Sequence, residues 1–364
     1  YLVTGGAGFI GSNFIKYLLE KYEDIEIVCL DKLTYAGNLA NIEYELKNYD
    51  DKLEFIKGDI NNEELVEYIF DNWNITYVVN FAAESHVDRS IENADIFLET
   101  NVLGVQNLLN IAKDKWEIGE REYKDDVKFL QVSTDEVYGS LEEDGYFTED
   151  NNLKPNSPYS ASKTSADLLV RSFNETYKLP TLITRCSNNY GPYQFPEKLI
   201  PLMINNILKG EELPVYGDGL NVRDWLYVKD HCRAIDMVLE KGDFGEVYNI
   251  GGHNEKTNIN IVKTLIEEIK KLVKENEAYK EVASTSIDNI NENLITFVKD
   301  RLGHDKRYAI DPTKIKEKIG WEPTIMFEDG IKATIKWYLD NQEWLEFVTS
   351  GDYKNYYEEM YLNR

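Results

Sequence analysis

Short apolar runs alternate with amphipathic stretches along most of the chain. Seven of these runs have the length of buried β-strands, and turns or helical patterns follow them. They are Leu2–Thr4, Ile25–Leu30, Leu53–Ile56, Tyr77–Phe81, Val127–Val132, Thr181–Cys186 and Val247–Ile250. Strands that are apolar on both faces are typical of parallel sheets with helices on both sides. The pattern therefore predicts an α/β fold with a doubly wound parallel sheet of about seven strands.

Three amphipathic stretches are predicted to form helices. Gly11–Tyr22 and Ile96–Ile111 carry apolar residues at the spacing of one helix face, which we expect to pack on the sheet. A longer helix is predicted over Ser157–Tyr177, because Ser157 is a favoured N-cap residue and Pro158 is favoured in the first turn. Two polar segments are predicted to be surface insertions: Lys115–Asp126 and Glu275–Asn293.

The character of the chain changes after Cys186, where loops rich in Asn, Pro and Tyr replace the alternating pattern. The pattern returns for one helix and for the strand that ends at Ile250. Two interleaved domains are therefore predicted, a larger one that contains the sheet and a smaller α/β domain. The larger comprises residues 1–186 and 230–255, and the smaller comprises residues 187–229 and 256–364.

The composition narrows the classes of function. With 364 residues, 42% of them hydrophobic, the chain can bury one large core or two modest ones. Its apolar runs are shorter than the roughly 18 residues of a membrane helix, so no membrane partner is expected. The formal net charge of −26 opposes unspecific binding to nucleic acid, and no nucleic-acid partner is expected. Because the chain starts within an apolar strand without a basic-then-apolar leader, we expect missing N-terminal residues, no secretion signal and a cytoplasmic location.

The cysteines and histidines show no arrangement typical of a disulfide framework or a metal site. Cys29, Cys186 and Cys232 form no CxxC pair and lie in apolar contexts, so we interpret them as buried thiols. The histidines have no short ligand spacing, and no metal is expected. His231 precedes Cys232, but neighbouring helical residues point apart, so core packing is the preferred interpretation.

A glycine-rich turn follows the first strand and opens the first helix. Within Thr4–Gly11, Gly5 permits a tight turn, Gly8 lets a pyrophosphate approach the backbone, and Gly11 allows close contact between helix and strand. Asp31 lies 20 residues after Gly11, where a carboxylate can bind ribose hydroxyls and repel a 2′-phosphate. Glycines are also ordinary turn formers, but together with Asp31 they predict a site for NAD rather than NADP.

Tyr159 and Lys163 lie one turn apart on the predicted third helix. A phenol with a pKa near 10 is a poor base at neutral pH, and a nearby ammonium lowers that pKa. The pair therefore predicts a proton acceptor, Tyr159, whose pKa Lys163 lowers while also holding a ribose. The alternative is a chance pair on an exposed helix.

Two adjacent carboxyl groups follow the strand that ends at Val132. They lie in Thr134-Asp135-Glu136, at the edge of the sheet where ligands bind in doubly wound folds. Neighbouring carboxylates push their pKa values apart, so one can act as an acid while the other acts as a base. The alternative is a solvated acidic turn.

These motifs resemble the extended short-chain dehydrogenase/reductase (NAD-dependent epimerase/dehydratase) family, and within it the nucleotide-sugar 4,6-dehydratases. The resemblance implies a Rossmann-type fold, a nucleotide-sugar-binding C-terminal domain and NAD as the cofactor. The chain departs from the family pattern at Leu302, where proline is expected, and we expect this change to soften a loop only. The resemblance extends nearly end to end and is carried by Thr4–Gly11, Asn80–Ser90, Ser133–Gly139, Tyr159–Lys163, Ser187–Pro192, Gly217–Val228 and Asp300–Asp311.

The resemblance implies a reaction on dTDP-glucose that yields dTDP-4-keto-6-deoxyglucose. C4 of the hexose is oxidised, water is eliminated across C5 and C6, and the hydride returns to C6. Glu136 is implied as the base at C5 and Asp135 as the acid at C6, with Thr134 donating a hydrogen bond at the C4 oxygen. Tyr159 and Lys163 are implied in the oxidation.

The resemblance also implies residues that bind the two ligands. Those for NAD are Gly5, Gly8, Phe9, Ile10, Gly11, Asp31, Asp59, Ile60, Ala82, Ala83, Thr100, Ser133, Tyr159 and Lys163. Those for the nucleotide sugar are Ser85, Asn188, Asn189, Lys198, Leu199, Pro214, Tyr216, Arg223, Asn258, Arg301 and His304. Arg223 and Asn189 are expected at the diphosphate, because an arginine fork suits bidentate phosphate contacts.

Three other functions stay open at this point. A UDP-glucose 4,6-dehydratase would share the carboxyl pair, whereas a 4-epimerase or decarboxylase of the same fold would lack it. A noncatalytic NAD-binding scaffold or redox sensor would not need Tyr159, Lys163, Asp135 and Glu136 together. The resemblance further implies a homodimer that forms through the helices over residues 96–111 and 157–177.

Overall fold

A seven-stranded parallel sheet forms the centre of the molecule, as the sequence predicts. The computed structural model describes residues 1–350. Its strands are β1 (Leu2–Thr4), β2 (Ile27–Asp31), β3 (Leu53–Lys57), β4 (Tyr77–Asn80), β5 (Glu117–Gly119), β6 (Glu122–Tyr123), β7 (Lys128–Thr134), β8 (Thr181–Cys186), β9 (Asn188–Tyr190), β10 (Leu213–Tyr216), β11 (Val222–Tyr227), β12 (Val247–Ile250), β13 (Glu255–Thr257) and β14 (Ile295–Val298). The central sheet has the order β3-β2-β1-β4-β7-β8-β12, and every neighbouring pair is parallel. The predicted fold class is confirmed.

Helices cover both faces of the sheet and build a second layer beside it. They are α1 (Phe9–Lys21), α2 (Glu43–Asn48), α3 (Glu63–Asn72), α4 (Val87–Glu92), α5 (Ala94–Leu98), α6 (Val105–Trp116), α7 (Pro158–Tyr177), α8 (Leu199–Lys209), α9 (Val228–Lys241), α10 (Asn258–Glu275), α11 (Glu277–Val282), α12 (Thr313–Ile319), α13 (Phe327–Asp340) and α14 (Gln342–Val348). A π-helical turn over Glu99–Gly104 joins α5 to α6. The pattern predicts one helix over residues 96–111 but not this turn.

Two apolar layers sandwich the central sheet. Successive residues of β1 point to opposite faces, so Val3 packs with Phe14 of α1 and Ile235 of α9, whereas Leu2 packs with Leu108 of α6 and Val170 of α7. All six side chains are fully buried. Burial on both faces explains why the strands appear as continuous apolar runs in the sequence.

A second core lies beside the sheet and belongs to the later part of the chain. It packs Met203 of α8, Trp225 of β11 and Leu265 of α10 between two small sheets with the orders β13-β11-β9 and β10-β14. Helix α12 and Trp321 pack instead with the central sheet, although the predicted boundary assigns them to the smaller domain. We propose the predicted division with residues 313–321 moved to the larger domain. Residues 351–364 of the predicted smaller domain lie outside the described residues.

The two predicted insertions are only partly surface structures. Trp116 ends α6 with its side chain buried, and its indole Nε1 donates to the Ile75 carbonyl at 2.8 Å. The exposed hairpin β5–β6 begins only after Trp116. In the second segment Ile290 is fully buried in the second core. Single apolar residues within polar segments are too few to produce a periodic pattern.

Within residues 1–350, no helix combines the length and the apolar character needed to cross a membrane. The three cysteines are buried with free thiols, as predicted.

Asp230 in the first turn of α9 ties this helix to the segment before α13. Its buried carboxylate accepts from the backbone N–H groups of Thr324 and Ile325, both at 2.8 Å, from the Thr324 hydroxyl at 2.7 Å and from Arg233 at 3.0 Å. We expect Asp230→Ala to lower the free energy of unfolding by about 3 kcal/mol, because two backbone N–H groups, a hydroxyl and a guanidinium lose their buried acceptor.

Urea unfolding measures the effect of this substitution. The control is Asp71→Ala, which removes an exposed ion pair with Lys115, and we expect it to cost less than about 1 kcal/mol. Equal losses in the two variants would contradict the role assigned to Asp230.

Candidate active site

Two cavities open at the carboxyl ends of the central strands, and they meet. The first cavity, of about 1630 Å³, lies over the ends of β1, β2, β4 and β7. The second cavity, of about 1180 Å³, lies between the central sheet and the second core. Ser85, Glu136, Asn189 and Lys198 line both cavities. The chain order of the sheet reverses between β1 and β4, the usual position of ligand sites in doubly wound folds.

Every predicted site residue lines one of these cavities, and their roles as ligands stay predictions. Those predicted for the cofactor line the first cavity: Gly5, Gly8, Phe9, Ile10, Gly11, Asp31, Asp59, Ile60, Ala82, Ala83, Thr100, Ser133, Tyr159 and Lys163. Thr134, Asp135 and Glu136 line it as well. Those predicted for the nucleotide sugar line the second: Ser85, Asn188, Asn189, Lys198, Leu199, Pro214, Tyr216, Arg223, Asn258, Arg301 and His304.

The glycine-rich turn has no room for side chains. Gly5 has φ +66°, and a Cβ there would lie 2.6 Å from the backbone nitrogen of Ala82. A Cβ on Gly11 would lie 2.4 Å from the Gly5 carbonyl oxygen. The first turn of α1 therefore reaches the wall of the first cavity, where its unpaired N–H groups suit an anion such as a pyrophosphate.

Asp31 ends β2 with its carboxylate fixed beside this turn. Oδ2 accepts from the Ala7 N–H at 2.9 Å, and Oδ1 accepts from the Leu33 N–H at 2.8 Å. Burial raises the pKa of Asp31, and these two N–H groups oppose the rise. Each oxygen keeps a lone pair for a ribose hydroxyl, so the turn and Asp31 fit a dinucleotide without a 2′-phosphate.

Asp59 also lines the first cavity, two residues after β3 ends. Burial raises its pKa, but the 2.7 Å ion pair with Lys32 and the hydrogen bond from the Asn61 N–H outweigh burial and lower the pKa overall. Asp59 therefore carries a negative charge at the cavity wall.

A capping box starts helix α7, as the sequence predicts. The Ser157 hydroxyl accepts from the Ser160 N–H at 3.1 Å, the Ser160 hydroxyl accepts from the Ser157 N–H at 3.0 Å, and Pro158 occupies the first turn. This start places Tyr159 and Lys163 on the buried face of α7, both at the wall of the first cavity.

Burial shifts the pKa values of both Tyr159 and Lys163. Burial, followed by the charges of Glu136, Cys186 and Asp135, raises the pKa of Tyr159 well above 10.0. The Lys163 ammonium donates to the Val132 carbonyl at 2.8 Å, and burial lowers its own pKa. For Tyr159, the hydrogen bond with the Thr134 hydroxyl opposes the rise, but burial outweighs it. That Lys163 lowers the pKa of Tyr159 stays a prediction.

A short 3-10 turn over Asp135–Tyr138 carries the carboxyl pair directly after β7. Thr134 caps this turn, because its hydroxyl accepts from the Glu136 N–H at 3.3 Å. The same hydroxyl donates to Asp135 Oδ1, also at 3.3 Å. The side chain of Asp135 is 2% exposed, and its Oδ2 has no hydrogen-bond partner among the described residues.

Burial raises the pKa of both carboxyl groups, but their neighbours differ. The pKa of Asp135 rises well above its usual value, because Glu136 and Asp224 add to the effect of burial. For Glu136 the rise caused by burial is opposed by three cations: Arg223, Lys198 and Arg301. Asp135 is therefore the group that keeps its proton, and Glu136 is the group that ionises more readily.

The guanidinium of Arg185 connects both parts of this machinery beneath the cavity. From β8, its Nε donates to Asp167 of α7 at 2.9 Å, and one terminal nitrogen donates to the Tyr138 hydroxyl at 2.9 Å. Tyr138 in turn donates to Asn249 Oδ1 on β12 at 2.8 Å. No role was predicted for Arg185. An arginine within an apolar strand nevertheless indicates a buried, paired charge, because unpaired arginines are almost never fully buried.

The π-helical turn places Asn101 between the loop after β4 and helix α7. Asn101 Oδ1 accepts from the Glu84 N–H at 2.9 Å, and its Nδ2 donates to the Ser162 hydroxyl at 2.8 Å. Ser162 donates to the Tyr159 carbonyl at 2.7 Å. The π-helical turn thus places the Asn101 side chain where it holds the segment that carries Tyr159 in position.

The second cavity gathers cations in a chain of strongly negative net charge. Arg223 donates to the backbone carbonyls of Val222 and Asp305 at 2.8 and 2.9 Å, and it lies 4.2 Å from the ring centre of Tyr308. Arg301 pairs with Asp88 at 3.0 Å. These positive groups suit a ligand with two phosphates.

Two further basic residues of this cavity, Lys198 and His304, are held by local contacts. Lys198 donates to the Ser85 carbonyl at 3.0 Å. His304 lies 2.6 Å from Asp300, and its pKa is lowered because burial outweighs this carboxylate.

Some lining residues have no place in the sequence prediction. Tyr35 lines the first cavity with its hydroxyl 3.5 Å from that of Ser85, and the Arg89 guanidinium lies 3.8 Å from the centre of its ring. Glu197 is buried beside Lys198 at 3.8 Å. No local pattern marks Tyr35 or Glu197, because only the folded chain brings them to the cavities.

Residues 1–350 contain no group of three or more His, Cys, Asp or Glu side chains that could hold a metal ion.

Comparison with known proteins identifies the family. Residues 2–334 match the family model described as GDP-mannose 4,6 dehydratase. The dTDP-glucose 4,6-dehydratase of Xanthomonas campestris pv. campestris (strain B100) is 51% identical over 354 residues, which cover 97% of this chain and 97% of that protein.

Solved structures show the same relationship. The dTDP-glucose 4,6-dehydratase of Bacillus anthracis str. Ames, in complex with NAD, is 48% identical with a TM-score of 0.82, over 95% of this chain and 98% of that one. The dTDP-glucose 4,6-dehydratase DesIV of Streptomyces venezuelae, with NAD and TYD bound, is 44% identical with a TM-score of 0.84, over 95% of this chain and 99% of that one. This chain therefore belongs to the NAD-dependent epimerase/dehydratase family, in which the relatives described here, 44 to 51% identical over nearly their full length, are dTDP-glucose 4,6-dehydratases.

Proposed function

We propose that this chain dehydrates dTDP-glucose to dTDP-4-keto-6-deoxyglucose with NAD as its cofactor, as a hydro-lyase. The observation that carries the proposal is the pair of Asp135, which is buried, and Glu136, which is partly buried and lies where the two cavities meet, because the two carboxyl groups have different environments. Relatives that are about half identical over their full length are dTDP-glucose 4,6-dehydratases.

The first cavity fits NAD. The glycine-rich turn and the N-terminus of α1 would hold the pyrophosphate, and Asp31 would bind a ribose. When bound, NAD supplies the oxidant for C4 and the reductant for C6, and its positively charged oxidised ring favours the ionised phenol of Tyr159. Lys163 keeps an ammonium at the same wall, where its remaining N–H groups are suited to a ribose.

Tyr159 accepts the proton of the C4 hydroxyl while C4 becomes a ketone. The Thr134 hydroxyl lies at the same wall and hydrogen-bonds the ketone oxygen. A ketone at C4 acidifies the proton on C5, which the next step removes.

Glu136 takes the C5 proton, because three cations oppose the rise of its pKa and favour its ionised form. Asp135, whose pKa is raised well above the usual value, donates its proton to the departing C6 hydroxyl, which leaves as water. Glu136 returns its proton to C5 when C6 is reduced. Solvent then restores the proton of Asp135 and accepts the one held by Tyr159, so the sugar loses only water.

The second cavity would hold the nucleotide diphosphate. Arg223 and Asn189 lie beside Glu136 in its wall and are suited to the two phosphates, with Lys198, Arg301 and His304 nearby. The base would lie among Leu199, Pro214, Tyr216 and Asn258.

A homodimer is supported by an exposed apolar surface on the neighbouring helices α4 to α7. Ile91, Leu98, Leu103 and Leu168 are each 41 to 54% exposed on these helices. A second copy of the chain would cover this surface, and α7 would then connect the interface directly to Tyr159.

Deuterium at C4 of dTDP-glucose is expected in the C6 methyl group of the product, because oxidation and reduction occur within one turnover. Proton NMR and mass spectrometry locate the label. Parallel reactions with UDP- and GDP-hexoses test the preference for dTDP.

Asp135→Asn with Glu136→Gln is expected to retain NAD while dehydration slows at least about 100-fold, because elimination loses both its acid and its base.

The matched control changes two exposed acidic residues of the following loop, Glu143→Gln with Asp144→Asn, and is expected to keep full activity. Label released into water, or no product from any nucleotide hexose, would overturn the proposed function. Full dehydration by the double variant would overturn the roles of Asp135 and Glu136.

Asp135→Asn is expected to become more stable than the unsubstituted chain as the pH rises. The pKa of Asp135 is raised in the folded state, so the folded chain keeps a proton that the unfolded chain releases near pH 4. Stability from this group is present below that pH and is lost as the pH rises toward the folded pKa. The variant lacks this loss, so its advantage in stability should grow as the pH rises from 4 to 8.

Urea unfolding at both pH values measures the difference. Asp144→Asn, at an exposed position, is the control and should show no such trend. An advantage that shrinks with rising pH would refute the prediction.

Leu168→Glu is expected to convert the dimer to monomers at micromolar concentration, because it buries a charge in the proposed interface. Light scattering after size exclusion gives the mass. Ile118→Glu changes a residue of the β5–β6 hairpin that is 66% exposed, and this control should stay dimeric. A monomeric unsubstituted chain would contradict the proposed dimer.

A further inference from the structure

His231 is completely buried on α9, yet it contacts a residue of both cavities. Its Nδ1 lies 2.9 Å from Oδ1 of Asn189. Asn189 lies on β9 and lines the first and the second cavity. Packing in the core, the interpretation favoured by the sequence, leaves this polar contact unexplained.

The surroundings of Asn189 determine which way its amide faces. Nδ2 donates to the Ser187 carbonyl at 3.0 Å, and a carbonyl can only accept. Oδ1 must therefore face His231, which requires the ring proton to be on Nδ1. Nε2 is then a bare acceptor, and it has no partner among the described residues. Burial lowers the pKa of His231 to about 3, so the ring stays neutral.

Other contacts fix the backbone of Asn189 but not its side chain. β9 pairs in parallel with β11, with Asn189 opposite Leu226, and Gln194 donates to the Asn189 carbonyl at 2.9 Å. The side chain is oriented by Ser187 and His231. A rotation of the amide by half a turn would present an oxygen where an N–H group now points.

We infer that His231 is a positioning residue for nucleotide diphosphate binding, because it holds the Asn189 amide so that one of its N–H groups can bind a phosphate oxygen. One N–H group donates to the Ser187 carbonyl, and the other contacts the Cys186 thiol, a weak acceptor that a phosphate oxygen can replace. The inference rests on the proposed function, in which Asn189 and Arg223 bind the diphosphate. An unheld amide would expose its oxygen to the phosphates for part of the time and would weaken binding.

Matched substitutions separate the hydrogen bond from the packing of the ring. His231→Phe keeps a ring without a donor, and His231→Asn places an amide N–H at the position of Nδ1. His231→Leu has nearly the shape of the Asn variant and carries no donor. We expect the Phe and Leu variants to bind dTDP about tenfold more weakly, and the Asn variant to stay within about threefold of the unsubstituted protein.

Calorimetric titration of the NAD-containing protein with dTDP measures these affinities. Steady-state kinetics should show that KM for dTDP-glucose rises more than kcat falls. In an Asn189→Ala background, His231→Phe should have no further effect on dTDP binding, because the two residues act through one contact. If the Phe variant does not fold, the Asn and Leu variants carry the comparison alone.

Equal weakening in the Asn and Leu variants, or additive effects in the Asn189→Ala background, would show that His231 acts by packing and would overturn the inference. An unsubstituted protein that binds NAD but not dTDP would overturn the proposed function, and with it this role of His231. Normal dTDP binding in all His231 variants would overturn only the inference.

Discussion

The buried guanidinium of Arg185 is the interaction on which the geometry of the candidate active site depends. From the central strand β8 it binds Asp167 on α7 and Tyr138 in the turn after β7. Helix α7 carries Tyr159, the proposed acceptor of the hydroxyl proton, and the turn carries the two carboxyl groups. One planar cation therefore sets the distance between the helix and the turn that carry these groups. Burying this charge is costly, and the paired carboxylate compensates only while both partners remain, so this contact couples stability to geometry.

Burial also creates the chemical difference between the two carboxyl groups. Low solvent exposure raises both pKa values, and by itself it would make Asp135 and Glu136 alike. The cations of the second cavity act mainly on Glu136, whereas Asp135 faces Glu136 and Asp224. In a chain with a formal net charge of −26, a few local cations thus suit an anionic ligand. The same cations make the pKa values of Asp135 and Glu136 differ.

Features that depend on local sequence could be predicted, and those that depend on distant contacts could not. The strands, the glycine-rich turn and the Ser157 cap follow from periodicity and from backbone preferences within a few residues. The contact of Asn101 with Ser162 and the contacts of Arg185 join segments far apart in the chain. Lys163 was expected to lower the pKa of Tyr159, but spacing on a helix gives no measure of burial, which raises that pKa here. His231 was interpreted as a packing residue for the same reason, since its polar contact is with a residue 42 positions earlier.

The meeting of the two cavities follows from what the reaction requires. In the proposed reaction, C4 of the hexose faces the first cavity while C5 and C6 face the carboxyl pair. The two cavities therefore have to meet near Glu136, which lines both. Two contacts hold the loop near Asp305 at the second cavity. Asn156 donates to Asp305 at 2.7 Å, and Arg301 pairs with Asp88 of α4 at 3.0 Å. Since Arg301 is already paired with a carboxylate, the proposed diphosphate would have to compete for it. That exchange would replace one anionic partner with another, at little cost in side-chain order.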